Sequence, residues 1–177
     1  MKRPRIELAE SAKKRRKQAG KAAADAGAAL EKLLDHHHAW AARLGLAEVR
    51  RVSPHVRHLG PGKVPGSFSA VFDSPGGCDR RGTIRGGRSL IVEAKSSAAG
   101  NLTWSEFTPA ELADLEAAHR LGALCLVAWE RRDLGAWFVV PWELIPWKVT
   151  GAGKSVTAEA VAGWRVVELP YLRRFVS

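Results

Sequence analysis

The feature that most limits what this chain can fold into is the apolar run LGALCLVAW at residues 121–129. It is far too short to cross a membrane as a helix, and it has the length of one buried strand. What precedes it reads as a helix. Thr108 can cap that helix, Pro109 suits its first turn and Glu111 sits at the capping-box position, so a helix is expected from there to about Leu121, with Gly122 ending it. Residues 123–130 then form the buried strand, and residues 136–140 a second strand across Arg131-Arg132-Asp133-Leu134-Gly135.

Upstream, residues 22–44 are rich in Ala and Leu, and Leu30, Leu33, Leu34, Trp40 and Leu44 recur at helical spacing before Gly45. A mixed basic segment at 48–58 leads into the loop Gly60-Pro61-Gly62-Lys63-Val64-Pro65-Gly66. Three strand-like runs follow. Residues 67–73 and 78–85 flank a Ser74-Pro75-Gly76-Gly77 turn, and residues 89–95 lie behind Gly86-Gly87. The order helix, three strands, helix, two strands predicts an α/β fold, a mixed β-sheet flanked by α-helices. Residues 142–177 are apolar enough to pack on that sheet or on a partner, and the chain shows no internal repeat.

At 177 residues and 46% hydrophobic content, one core closes without disulfides, and two cysteines are too few for a disulfide framework. With no apolar run behind the basic start, a reducing cytoplasm is expected and a membrane is not. Net charge is +10, but it is unevenly placed: residues 1–24 carry nine Lys or Arg against Glu7 and Glu10, leaving +3 for the rest. The chain is therefore divided into a basic, flexible leader at 1–24 and a folded domain at 25–177. Such a leader, with its block Lys13-Lys14-Arg15-Arg16-Lys17, suits phosphate contacts without sequence reading.

Chemistry concentrates around Ile91-Val92-Glu93-Ala94-Lys95, where strand alternation projects Glu93 and Lys95 from one face. Alone, this spacing is common surface patterning. Asp79 changes its weight, because a glycine hairpin can fold it back beside Glu93. A two-residue loop at Gly86-Gly87 would set Asp79 against Ala94, on the wrong face. With Arg85-Gly86-Gly87 as the loop it falls opposite Glu93, and with Gly86-Gly87-Arg88 opposite Lys95. Two carboxylates and the Ala94 carbonyl would give Mg²⁺ the hard oxygen ligands it prefers, and Lys95 would face a phosphate.

Asp79, Glu93 and Lys95 in this arrangement resemble the PD-(D/E)XK nucleases. The likeness extends to Holliday junction resolvases of the RecU and archaeal Hjc type, restriction-endonuclease-like in fold. Their first helix carries a Gly-x-x-x-Glu-like element, which Gly27-Ala28-Ala29-Leu30-Glu31 is similar to. A basic strand, a Gly/Pro loop, the Asp strand, the Glu-x-Lys strand, a helix and two strands follow in the same order, so the resemblance covers residues 27–144. It implies a Mg²⁺-dependent endodeoxyribonuclease, with Mn²⁺ substituting, that acts at four-way DNA junctions in recombination, repair or replication. Catalysis would fall to Glu31, Asp79, Glu93 and Lys95. The metal would be held by Asp79, Glu93 and the Ala94 carbonyl, with Glu31 serving a second metal or a bound water. A homodimer and a cytoplasmic, nucleoid-associated place in a bacterium, archaeon or phage are implied as well. The chain departs from the family pattern at Gly77-Cys78, where a Pro is usual, and at Glu111, where a Gln is often found and capping is the simpler role.

Candidates for DNA phosphate contacts are Lys13, Lys14, Arg15, Arg16, Lys17, Arg50, Arg51, Arg57, Lys63, Arg80 and Arg81. Trp142, Pro146, Trp147, Tyr171 and Leu172 are candidates for a dimer interface. His36-His37-His38 cannot converge on one metal from successive helical positions and is expected to be solvated or to face DNA. Gly151-Ala152-Gly153-Lys154-Ser155 mimics a phosphate loop but has Lys148 where the first Walker glycine belongs, and reads as a turn. Trp129, Trp137, Trp142, Trp147 and Trp164 are expected in the core or at an interface rather than stacked on bases, and Cys78 is expected as a small buried thiol. Two other readings stand beside the resolvase: a nuclease acting on linear duplex, flaps or single strands, and a non-catalytic basic nucleic-acid-binding protein.

Overall fold

The structure, a computed structural model, describes residues 4–53, 56–72, 77–145 and 155–176, with the backbone alone for 4–16, 19, 23, 56, 58 and 72. The turn at 74–76, the phosphate-loop mimic at 151–154, Pro146 and Trp147 lie outside the described residues, as do the side chains of Lys13, Lys14, Arg15 and Arg16.

The first element is a 40-residue helix, α1 (Pro4–Arg43). The expected division at residue 24 is not marked by any break in it. Apart from Gly20 and Gly27, residues 5–43 hold neither glycine nor proline and are mostly good helix formers, so nothing local stops the helix. Gly45 does stop it: at φ 62°, its N–H bonds Ala42 and the next N–H bonds Ala41.

Nine strands and a second long helix follow among the described residues. Five strands form one sheet in the order β1 (Ala47–Arg51), β4 (Arg80–Ile84), β5 (Ser89–Ser97), β7 (Leu124–Arg131), β8 (Ala136–Pro141). β5 and β7 run parallel and the other neighbours antiparallel, so the sheet is mixed, as expected. The parallel pair requires a crossover, supplied by α2 (Pro109–Arg120). That helix opens on the capping box read from the sequence.

The sheet is covered on both faces. Leu30, Leu34 and Ala41 of α1 bury against Leu90, Val92, Leu126, Ala128 and Val139. Leu115 of α2 buries against Ile91, Cys125, Val127 and Trp129 on the other face. Strand alternation makes the two sets: even positions of β5 and β7 meet α1, odd positions meet α2. This is why residues 121–129 read as apolar on both faces, and why Glu93 and Lys95 lie on the α2 side. No described helix is long and apolar enough to cross a membrane.

Three expectations are corrected. Residues 67–73 do not form a hairpin with 78–85. Instead β3 (Phe68–Phe72) pairs with β2 (Val56–Pro61) across the 60–67 loop, which the Gly62 N–H closes by donating to the Ser67 carbonyl. β2 and β3 form their own two-stranded sheet. So do β6 (Leu102–Thr103) and β9 (Ser155–Val156).

His37 and His38 are buried rather than solvated, 1% and 5% exposed. They fall three and four positions beyond Leu34, on the face α1 turns to the core. His38 Nε2 lies 2.7 Å from the Tyr171 hydroxyl, and His37 Nδ1 accepts the Tyr171 N–H at 3.2 Å. Tyr171, Leu172 and Trp142 are therefore not available as a dimer face: they are buried in their own chain. The tail packs on the sheet, one of the two fates its composition allowed.

Candidate active site

β4 and β5 pair through Arg80 opposite Val92, and Ile84 N–H bonds Arg88 O across Arg85-Gly86-Gly87. This is the first of the two registers the sequence allowed. Gly86 and Gly87 have φ of 89° and 84°, which glycine adopts without strain. Continuing the register one step places Asp79 opposite Glu93.

There the ladder gives way to side chains. Asp79 Oδ2 accepts the Ala94 N–H at 2.8 Å, and the Asp79 N–H donates to Glu93 Oε2 at 3.3 Å. Since the N–H and C=O of one strand residue leave on the same side, the Ala94 carbonyl lies on this edge too. Lys95 Nζ sits 2.6 Å from Glu93 Oε1 and 2.7 Å from Glu111 Oε2, with the Phe107 ring centroid 4.9 Å away. Asp79, Glu93, Ala94 and Lys95 are thus brought together.

Glu111 joins them in a role that sequence reasoning gave only to capping. Its Oε2 accepts the Thr108 N–H at 2.9 Å and also holds Lys95. Asp114, one turn on, was missed altogether. Its Oδ2 accepts the Cys78 N–H at 3.0 Å and pairs with Arg81 at 2.6 Å. A Cβ on Gly77 would lie 1.9 Å from that oxygen, so the glycine is what lets the carboxylate approach. The signal was present in the i, i+3 spacing of Glu111 and Asp114, which places both on one face of α2.

The electrostatics follow from three carboxylates facing one ammonium. Burial raises the Glu93 pKa first and the Asp79 charge raises it further. Burial likewise raises that of Asp79, over the opposing Ala94 hydrogen bond. For Lys95, burial works to lower the pKa, but Glu93 and the bond from Glu111 outweigh it, so the ammonium stays charged. Burial pushes the Cys78 thiol well above its usual range, with Glu93 and Asp114 adding to this, so it is no nucleophile.

A divalent cation suits this donor set. Asp79, Glu93 and the Ala94 carbonyl are hard oxygen donors, and the raised carboxyl pKa values mark a deficit of positive charge that a cation would relieve. Among the described residues, no three His, Cys, Asp or Glu side chains form a metal-holding group, so carbonyl and water ligands would be needed.

Glu31 is turned elsewhere. Its Oε2 lies 2.5 Å from Arg80 Nη2 and 3.2 Å from Arg51 Nη1, and its backbone carbonyl accepts from Arg80 at 2.9 Å. Asp35, one turn on, also pairs with both arginines, through Arg80 Nη1 at 3.0 Å and a fork from Arg51. The Arg51 hydrogen bond is the first cause of a lowered Asp35 pKa.

Arg80, expected on DNA, is corrected: it is 1% exposed and committed to Glu31 and Asp35. β4 alternation explains this, since Arg80 points to the α1 face while Asp79 and Arg81 point to the α2 face. Arg51 is half-exposed but tied to the same acids, and Arg81 is half-exposed beside Asp114. Arg50 is exposed with Glu48 at 3.5 Å, and Lys17, Arg57 and Lys63 are exposed.

No family profile and no curated protein matches the sequence. Among solved structures the chain is similar to Hjc, a Holliday junction resolvase from the archaeal hyperthermophile Archaeoglobus fulgidus. The identity is 19%, over 75% of this chain and 88% of that one, with a TM-score of 0.45.

Proposed function

We propose that this chain is a Mg²⁺-dependent endodeoxyribonuclease that cuts phosphodiesters at four-way DNA junctions, with Mn²⁺ able to substitute. The observation that carries the reading is the convergence of Asp79, Glu93 and Lys95 at the point where β4 gives out beside β5. Asp79, Glu93 and the Ala94 carbonyl would hold the metal, which when bound would supply an activated water and neutralise phosphoryl charge. Lys95 presents a fixed positive charge to the attacked phosphate. Because its ammonium is held between Glu93 and Glu111, it serves electrostatically rather than as a base. Glu31 acts at one remove, by anchoring Arg80 next to Asp79.

DNA is the substrate class that the charge favours. The basic half of α1 and the exposed Arg50, Arg57 and Lys63 offer phosphate contacts without base readout. A junction presents two equivalent strands, which a homodimer with two such sites would match.

The test is a metal-titrated cleavage assay comparing a four-way junction with linear duplexes of the same sequences. Paired nicks in the junction with Mg²⁺ or Mn²⁺ are expected, lost in Asp79→Asn and Glu93→Gln while junction binding persists. Equal cutting of linear DNA would remove junction selectivity and leave the nuclease. Absence of cutting on every DNA would reject the reading, and loss of binding in the variants would make these residues structural.

A further inference from the structure

Beside the carboxylates, on the same α2 face of the sheet, lies a cavity of about 550 Å³ bounded by Arg81, Gly82, Arg88, Asp114, Ala118 and Leu121. Resting on the nuclease reading, we infer that Arg81 and this cavity form a subsite for the nucleotide next to the scissile phosphate. Arg81 takes that neighbour's phosphate, and the α2 wall lies along its sugar.

Strand geometry sets the spacing. Arg81 is two residues beyond Asp79, so it projects from the same face about 7 Å further along β4. That step is comparable to the separation of successive phosphates along one strand of DNA. Arg81 pairs with Ile91 as Asp79 faces Glu93, so both lie over one line of the sheet. The cavity continues this line toward Ser89 and Gly87.

The charge is suited to an anion and is held in place. Arg81 is half-exposed, and Asp114 takes one of its amino groups at 2.6 Å, leaving the other donors of the fork. Asp114 is itself fixed by the Cys78 N–H, one residue before Asp79. The guanidinium is thereby tied to the backbone that carries the catalytic carboxylate, which keeps their separation constant. Arg88, at the far end, is committed to the carbonyls of Gly122 at 2.8 Å and Ala123 at 3.3 Å and serves as wall. Ala117, Ala118 and the almost fully exposed Leu121 offer apolar surface and no donors, which suits a sugar better than a second phosphate. The volume lies within the roughly 300–1,000 Å³ of small-ligand sites.

The experiment scans the cut strand with single methylphosphonates, which neutralise one phosphate at a time, in the substrate that the wild type cleaves best. One flanking position should slow the wild type by about 10- to 100-fold, the range expected for a lost hydrogen bond to a charged group. Arg81→Gln should be slow on native DNA and indifferent to neutralisation at that position. Asp114→Asn should show a reduced response there, since the fork loses its anchor. Urea unfolding of both variants checks that the fold persists. If Arg81→Gln responds to the neutral linkage as strongly as the wild type, or if no flanking position matters, the subsite does not exist. A wild type that cuts no DNA would instead overturn the nuclease reading, and the subsite with it.

Discussion

Replacing Arg80 with Met should destabilise the protein by about 3 kcal/mol, whereas Arg51→Met should cost under about 1 kcal/mol, although both arginines bind the same two acids. Arg80 is 1% exposed and makes three charge-assisted bonds, two to Glu31 and one to Asp35. Breaking a buried pair typically costs about 3–5 kcal/mol, because the surviving charge is stranded. Two features hold this case to the lower end. The Glu31 and Asp35 side chains are 26% and 47% exposed, and Arg51 remains to pair with both. The Arg80 Nε is also buried without a hydrogen bond, so the wild type already carries a desolvation cost that methionine removes. In urea, with m of about 2 kcal/mol/M, the midpoint should fall by about 1.5 M for Arg80→Met and by under about 0.5 M for Arg51→Met. Equal shifts in the two variants would refute the claim that burial, rather than the number of ion pairs, sets the cost.

Lys95→Ala should retain junction binding but cut about 100- to 1,000-fold more slowly, with Lys95→Arg a poor rescue, as single-turnover rates would show. A rate within a few-fold of wild type would exclude Lys95 from the chemistry. Glu111→Gln keeps an acceptor for the Thr108 N–H but weakens the hold on Lys95, so stability should change by less than about 0.5 kcal/mol while cleavage falls. Glu111→Ala should lose both, and equal stability losses in the two variants would contradict this separation. Acid should destabilise the fold through His37 and His38, whose pKa values burial lowers to about 4 and about 3. The unfolded state takes up protons below about pH 6.5 while the native histidines stay neutral, so their contribution is complete above that pH and is lost as pH falls toward those values. Between pH 7 and 5 the loss should be on the order of 1–2 kcal/mol per histidine. His38→Gln should flatten the stability curve over that window, and an unchanged slope would show that the histidine is protonated when folded.

What could be read from the sequence was what depends on neighbours in the chain. The Thr108–Glu111 capping box, the Gly45 stop and a three-residue loop at Gly86-Gly87 follow from local backbone geometry, and all are present, the loop in the one of its two possible registers that sets Asp79 against Glu93. The partner of residues 67–73 was not legible in that way. Its choice of β2 over β4 depends on which of two glycine-rich connections closes a hairpin, and both carried turn signals. The second role of Glu111 was hidden because capping already accounted for the residue. Only the packing of α2 across β5 brings its free lone pairs to Lys95. The histidines were misread because three of them in a row look polar. The spacing from Leu34 that buries two of them was present, but Tyr171, which satisfies them, lies more than 130 residues away.

α1 has a consequence for the hydrodynamics of the protein. Forty helical residues extend about 60 Å, and Leu30, the first of the described α1 side chains to be buried in the core, follows 26 of them, about 39 Å of that length. A compact chain of this size has a radius of gyration of about 16 Å, and the helix is more than three times as long as that. Such a particle diffuses more slowly than a sphere of its mass. On a gel-filtration column calibrated with globular standards, a monomer would elute early and imitate a dimer, so subunit number has to be weighed by light scattering or sedimentation equilibrium.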